Sequence, residues 1–182
     1  MFDDQLLKWK FKRGSDEALT LIYEKYLDSM LTLALGLLHD AAAAEEVVQD
    51  VFVAFAQSRR SLQMWGSLSG YLATSVVNRV RDYKRRQRRQ AGRDAQRHAA
   101  PEPPGPEQAV ILTEQAQLLA RALVELPEEQ REVVLLRLKA GLKFRDIAKL
   151  QQTSINTVLS RYRYGLERLR SVLDGEVEKW DR

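Results

Sequence analysis

A cluster of four prolines near the middle of the chain constrains its fold more than any other feature. The prolines fall within residues 101–106, in the stretch AGRDAQRHAAPEPPGPEQ. Proline lacks a backbone donor and biases its neighbours away from helix, so this stretch predicts an extended linker. Apolar residues on both sides follow helical spacing, and no hairpin signal appears. We therefore expect an all-α protein with two small helical domains, at 1–90 and 111–174, a flexible Pro-rich linker at 91–110 and a tail at 175–182.

Composition excludes several kinds of catalytic and metal site. The chain has no cysteine, which rules out disulfides, thiolate catalysis and Cys-ligated metals. Its two histidines, His39 and His98, lie far apart in the sequence. No Gly-rich phosphate loop or nucleophile elbow is present. We expect no catalytic residue, no metal and no cofactor, and therefore no enzymatic activity.

The apolar segments are too short to cross a bilayer. None approaches the roughly 18 consecutive apolar residues that a transmembrane helix requires. The amino-terminal segment MFDDQLLKWKFKRG mixes charge with apolar residues and lacks the core of a signal peptide. We expect a cytoplasmic protein without membrane insertion.

Two capping residues predict helix starts in the first domain. Ser15 precedes two acidic residues, and Asp40 precedes the segment AAAAEEVVQDVFVAFAQ. One face of this second helix is apolar, with Val47, Val48, Val51, Phe52 and Phe55. Another face carries Glu46, Gln49, Asp50 and Val53 at helical spacing. On the pattern alone, the more ordinary interpretation of that second face is contact with solvent.

A predicted helix from Gly70 to about Arg89 is apolar in its first half and basic in its second. Residues 79–89 contain seven basic residues and one acidic residue. A loop at 58–69 precedes the helix and carries Trp65. Such a basic run is often only a solubilising surface. Beside an aromatic loop it also suits nucleic acid, because phosphates attract the charge and bases stack on the ring.

The segment after Pro127 has the pattern of a helix-turn-helix. A first helix, with Pro127 in its first turn, ends near Gly141, and a polar turn from Gln151 to Ser154 separates the next two helices. The apolar residues expected to be buried are Leu126, Val133, Val134, Leu136, Leu138, Phe144, Ile147, Ala148, Leu150, Ile155, Val158, Tyr162, Leu166 and Leu169. The outer face and flanks of the last helix carry Asn156, Thr157, Ser160, Arg161, Arg163, Tyr164 and Glu167. Such a face can offer donors to a major groove, although an ordinary three-helix bundle also accounts for the pattern.

Taken together, these blocks resemble the group IV, or extracytoplasmic function (ECF), sigma factors of bacterial RNA polymerase. The resemblance covers about residues 5–90 and 112–172. EALTLIYEKYLDSMLTLALGLLHDAAAAEEVVQDVFVAFAQ is similar to regions 2.1 and 2.2, and GYLATSVVNRVRDYKRRQRR to the end of region 2.3 and region 2.4. LPEEQREVVLLRLKAGLKFRDIAKLQQTSINTVLSRYRYGLERLR is similar to regions 4.1 and 4.2.

The resemblance implies partners and residue roles. The partners are core RNA polymerase, through its β′ clamp helices and β flap, promoter DNA and an anti-sigma factor. The residues implied to bind core polymerase are Glu46, Gln49, Asp50 and Val53. Those implied at the minus-ten region are Arg59, Arg60, Trp65, Tyr71, Asn78, Arg79, Arg81, Lys84, Arg85 and Arg86. Those implied at the minus-thirty-five region are Asn156, Thr157, Ser160, Arg161, Arg163 and Tyr164.

The last helix departs from the family pattern. Leu159 and Tyr164 stand where the family commonly has basic residues, so the family's base contacts cannot be copied. Leu159 could meet a thymine methyl group or lie in the core. The expected function is a sigma factor that directs polymerase to promoters and promotes melting. The alternative is a stand-alone helix-turn-helix regulator that binds duplex DNA without polymerase.

Overall fold

A computed structural model describes residues 4–58, 67–94 and 114–180 of the chain. These residues form eight α-helices and no strand, which confirms the all-α prediction. The helices are α1 (Asp4–Lys12), α2 (Asp16–Leu38), α3 (Ala41–Gln57), α4 (Leu68–Asp94), α5 (Glu114–Val124), α6 (Glu128–Leu138), α7 (Phe144–Leu150) and α8 (Ile155–Trp180). The proline cluster lies outside the described residues. Among the described residues, no helix combines the length and apolarity needed to span a membrane.

Helices α1 to α4 form the first bundle, and its two predicted caps are confirmed. Ser15 Oγ accepts from the Ala18 amide at 3.1 Å, and Asp40 Oδ1 accepts from the Ala43 amide at 3.0 Å. Each cap satisfies one amide that the first turn of a helix leaves without a partner. The predicted apolar face of α3 is buried in the bundle, with Val47, Val48, Val51, Phe52 and Phe55.

Helix α4 is longer than the sequence pattern predicted. It begins at Leu68 rather than Gly70, because Ser67 Oγ accepts from the Gly70 amide at 3.0 Å and acts as a cap. It continues to Asp94, five residues beyond Arg89. The predicted linker boundary at residue 91 therefore falls inside a helix.

Helix α1 was not predicted from the sequence. Leu7 and Phe11 are buried, and the Phe11 ring stacks on Phe55 of α3 with 4.3 Å between centroids. Asp4 Oδ2 accepts from the Tyr26 hydroxyl at 2.6 Å. These contacts attach α1 to α2 and α3.

Helices α6, α7 and α8 form the predicted helix-turn-helix. Ser154 Oγ accepts from the Thr157 amide at 3.1 Å, which confirms the predicted cap of α8. Gly141 has a φ of 66°, a conformation that glycine adopts without strain. Gly165 lets α8 approach α6 closely, since an added Cβ would lie 2.9 Å from Val134 Cγ2.

Three residues that the pattern placed on buried faces are exposed. Leu138 is the last residue of α6, and Ile155 is the first residue of α8. Both lie at helix ends, beyond the turns that pack into the core. Leu166 is also partly exposed, because Gly165 and Leu169 make the close contacts on that part of α8. These expectations were therefore wrong.

The two bundles pack against each other. An added Cβ on Gly36 of α2 would lie 2.7 Å from Leu135 Cδ1 of α6, and Leu135 is buried. The Ser69 hydroxyl at the start of α4 donates to the Ala140 carbonyl at 2.6 Å. The buried side chains of both bundles consequently form one apolar cluster.

Candidate nucleic-acid interface and partner surfaces

Four predicted polymerase-binding residues share the outer face of α3. Glu46, Gln49 and Val53 are exposed, and Asp50 is half-buried. Asp50 Oδ2 lies 3.4 Å from the guanidinium of Arg79 on α4. The face therefore presents an exposed valine among acidic and amide groups, which can serve a protein contact.

The predicted minus-ten residues fall into four groups, of which the last consists of cations in ion pairs. Asn78, Arg85 and Arg86 are exposed on α4, beside Arg88 and Arg89. Tyr71 is half-buried, with its ring centroid 5.9 Å from that of Phe55, so it contributes to the core as well as the surface. The predicted residues Arg59, Arg60 and Trp65 lie outside the described residues.

Three cations of that set remain. Arg79 lies beside Asp50 of α3, whereas Arg81 and Lys84 pair with the second bundle. Arg81 Nη2 donates to both carboxylate oxygens of Glu132 on α6, at 2.9 and 3.2 Å. Lys84 Nζ donates to Glu128 Oε1 at 2.6 Å. Arg81 also donates to the Leu150 carbonyl at the end of α7. The α4 face that was predicted to hold phosphates is thus partly covered by α6.

Glu132 is the most deeply buried member of this network, with 7% of its surface exposed. Burial raises the pKa of its carboxyl, while Arg81 and the Gln151 amide act in the opposite direction. The hydrogen bond from Lys84 lowers the pKa of Glu128, which is less buried. Both carboxylates are therefore stabilised in their charged form by the cations Arg81 and Lys84 of α4.

A second cross-bundle contact joins His39 to Arg131 of α6. His39 follows α2 with a φ of 58°, and its Nε2 contacts the Arg131 guanidinium. Burial, followed by the charge of Arg131, lowers the pKa of His39 to about 4, so the ring is neutral near pH 7 and can accept this bond. Arg131 Nη2 also donates to the Leu126 carbonyl at 2.8 Å, and within the described residues its buried Nε has no partner.

Sequence reasoning missed this cross-bundle network. The sequence contained one signal. Arg131 and Glu132 directly precede the continuous apolar run of α6, and such a run leaves little of the helix to face solvent. Burial of the two charged residues could therefore be expected. Their partners could not be identified, because His39 and Arg81 are distant in the sequence.

The predicted minus-thirty-five residues lie together on α8. Asn156, Ser160, Arg163 and Tyr164 are exposed, and Thr157 and Arg161 are half-buried. Arg161 Nη1 donates to Gln151 Oε1 at 2.7 Å, so part of its donor capacity is used within the domain. Leu159 is 43% exposed, which excludes the core placement that the sequence left open.

Comparison with known proteins matches each bundle to a family model. The Sigma-70 region 2 model matches residues 22–90, and the Sigma-70 region 4 model matches residues 116–169. The chain is 27% identical to the RNA polymerase sigma-H factor of Pseudomonas aeruginosa, with 87% of each chain covered. It is 25% identical to the ECF RNA polymerase sigma-E factor of Escherichia coli, covering 96% of this chain and 94% of that one.

Solved structures show the same fold. The sigma factor RpoE of Bartonella quintana, in complex with the anti-sigma factor NepR, matches with a TM-score of 0.67 and 24% identity, over 84% of this chain and 94% of that one. CnrH, in complex with the cytosolic domain of CnrY, matches with a TM-score of 0.64 and 20% identity, over 94% and 97%. Both family models describe sigma-factor regions, so the comparisons do not favour a stand-alone regulator. The chain belongs to the sigma-70 family, within its extracytoplasmic function group of RNA polymerase sigma factors.

Proposed function

We propose that this chain binds core RNA polymerase in the cytoplasm, directs it to specific promoters and favours opening of the DNA. The observation that carries the proposal is the pair of matches to sigma regions 2 and 4, in that order along one chain. No reaction is assigned to the chain itself. Its contribution is binding energy, and the polymerase supplies the chemistry.

The division of labour follows the two bundles. Residues 1–90 would act as region 2, and residues 111–174 would act as region 4, with 91–110 as the connection. Region 2 would bind core polymerase and the melted minus-ten strand. Region 4 would read the minus-thirty-five element as duplex, with α8 in the major groove.

The outer face of α3 is the proposed contact with the β′ clamp helices. Its support is the exposure of Glu46, Gln49 and Val53 on the face opposite the buried side of the helix. Region 4 would contact the β flap. Each unstacked base captured by region 2 would contribute about 1–3 kcal/mol, set against about 1.4 kcal/mol for each base-pair step opened.

Promoter binding through α4 requires a change in the packing of the two bundles. Arg81 and Lys84 cannot hold DNA phosphates while they pair with Glu132 and Glu128. Separation of the two bundles would release both cations. We therefore propose that bundle separation accompanies polymerase or promoter binding.

An anti-sigma factor is the proposed regulatory partner. The support comes from two similar solved structures, whose sigma factors are described in complex with NepR and with the cytosolic domain of CnrY. Both matches cover more than four-fifths of this chain.

The polymerase contact can be tested by removing two side chains from the outer face of α3. Gln49→Ala with Asp50→Ala should weaken binding to core polymerase, because the exposed Gln49 and the half-buried Asp50 share the outer face of α3. Loss of the partly exposed Asp50–Arg79 pair alone should cost the fold about 1 kcal/mol or less. Affinity is measured with fluorescently labelled chain, and Glu24→Ala on α2 serves as the control at an exposed carboxylate. Equal affinity of the double variant and the control would contradict this interface.

A further inference from the structure

Two apolar side chains lie on the outer surface of α8, one helical turn apart. Ile155 is 45% exposed and Leu159 is 43% exposed. They occupy the first two turns of the helix, the part that contacts base edges when a recognition helix enters a major groove.

The orientation of these side chains is set by the buried side of α8. Val158 is fully buried, and Gly165 is held against Val134 of α6. The Tyr162 ring packs edge-on against Phe144 of α7, with 5.1 Å between centroids. Rotation of α8 to bury Leu159 would expose Val158, so Leu159 stays on the solvent-facing side of α8.

The surroundings of this apolar pair match duplex DNA. Asn156, Ser160 and Arg163 are exposed beside it and offer hydrogen-bond donors and positive charge. In the major groove, the distinctive apolar group on the base edges is the C5-methyl group of thymine. A leucine among polar and cationic side chains fits a thymine methyl among phosphates and base acceptors.

We propose that Leu159, with Ile155, determines promoter specificity by packing on thymine methyl groups of the upstream duplex element. This inference rests on the proposed function and deepens it. In helices that enter the major groove at an angle, residues three to four positions apart contact successive bases. The upstream element should therefore contain thymines on neighbouring base pairs whose methyl groups affect binding.

The experiment replaces thymine by deoxyuridine, one position at a time, in the upstream element of a promoter found by start-site mapping. This exchange removes only the methyl group and keeps every hydrogen-bonding atom. Promoter binding is measured with polymerase reconstituted with the full chain, as wild type, Leu159→Ala and Leu138→Ala. Leu138 is an exposed leucine at the end of α6 and serves as the matched control.

With the wild-type chain and with Leu138→Ala, deoxyuridine at one or two positions should weaken binding about fourfold, the factor for burial of one methyl-sized group. With Leu159→Ala, one of these positions should lose its sensitivity. If specific transcription occurs but removal of the thymine methyl groups has no effect on binding, or has the same effect with Leu159→Ala, this inference is wrong and the proposed function stands. If Leu159→Ala weakens binding whether or not the methyl groups are present, the leucine makes a protein contact, and this inference is again wrong. Absence of specific transcripts with the wild-type chain would instead contradict the proposed function.

Discussion

Replacement of Arg81 by methionine should separate the two bundles. Arg81→Met keeps the apolar stem of the side chain and removes the guanidinium that binds both oxygens of Glu132. The Glu132 carboxylate, 7% exposed, would keep the Gln151 amide but lose its cation. A buried charge without its partner destabilises the packed arrangement, whereas solvent compensates it once the bundles separate.

The expected magnitude follows from burial of the two partners. Removing one partner of a fully buried ion pair costs about 3–5 kcal/mol, and hydrogen bonds to charged groups contribute about 1.5–3 kcal/mol. The Arg81 side chain is 43% exposed, so solvent screening reduces the effect. We expect about 2 kcal/mol, which shifts the ratio of separated to packed molecules by about 30-fold.

Single-molecule energy transfer between the bundles measures this ratio. The chain has no cysteine, so Ala54→Cys and Ser171→Cys, both at exposed positions, provide two selective labelling sites. Arg86→Met, at an exposed arginine of the same helix, is the control. Adding Glu132→Gln to Arg81→Met should restore part of the packed population, because burial already disfavours the charged carboxylate. Equal distributions for Arg81→Met and Arg86→Met would show that the Arg81–Glu132 pair does not hold the bundles together.

Three further predictions concern stability and DNA binding. The pKa of His39 falls from 6.5 to about 4, so the unfolded chain binds more protons between these values. The free energy of unfolding should fall as pH is lowered through that window, and His39→Asn should flatten this slope in urea titrations. Gly165→Ala should lower the free energy of unfolding by about 1 kcal/mol, because overpacking of Val134 outweighs the gain in helix propensity; an unchanged denaturation midpoint would contradict this. Glutamine substitution of four exposed cations on α4 should make promoter binding less dependent on salt; these are Arg85, Arg86, Arg88 and Arg89. The slope of log affinity against log salt concentration should decrease in magnitude by about 0.9 for each phosphate that is no longer neutralised. An unchanged slope would show that these arginines do not contact DNA phosphates.

Features set by neighbouring residues were predictable from the sequence. Ser15, Asp40 and Ser154 cap helices because a short polar side chain meets the amide three residues later. The apolar face of α3 follows from helical spacing alone. Helical spacing and the polar turn from Gln151 to Ser154 likewise predicted the order of α6, α7 and α8 in the helix-turn-helix.

Features set by distant residues were not predictable. Helix α1 is nine residues long, too short to be stable alone, and depends on contacts such as Phe11 with Phe55. The pairing of Arg81 with Glu132 joins residues 51 positions apart. Spacing also could not show that Ile155 precedes the buried part of α8. The use of α4 cations between the bundles therefore became visible only in the structure.

Transcription initiation by reconstituted polymerase shows whether the chain acts as a sigma factor. Core RNA polymerase is mixed with the purified chain and a library of genomic promoter fragments, and transcript start sites are mapped with each component omitted in turn. A sigma factor should give defined start sites only when core polymerase and the chain are both present, with shared sequence elements upstream of them. A chain that binds duplex DNA alone, fails to bind core polymerase and yields no specific starts would contradict the proposed function.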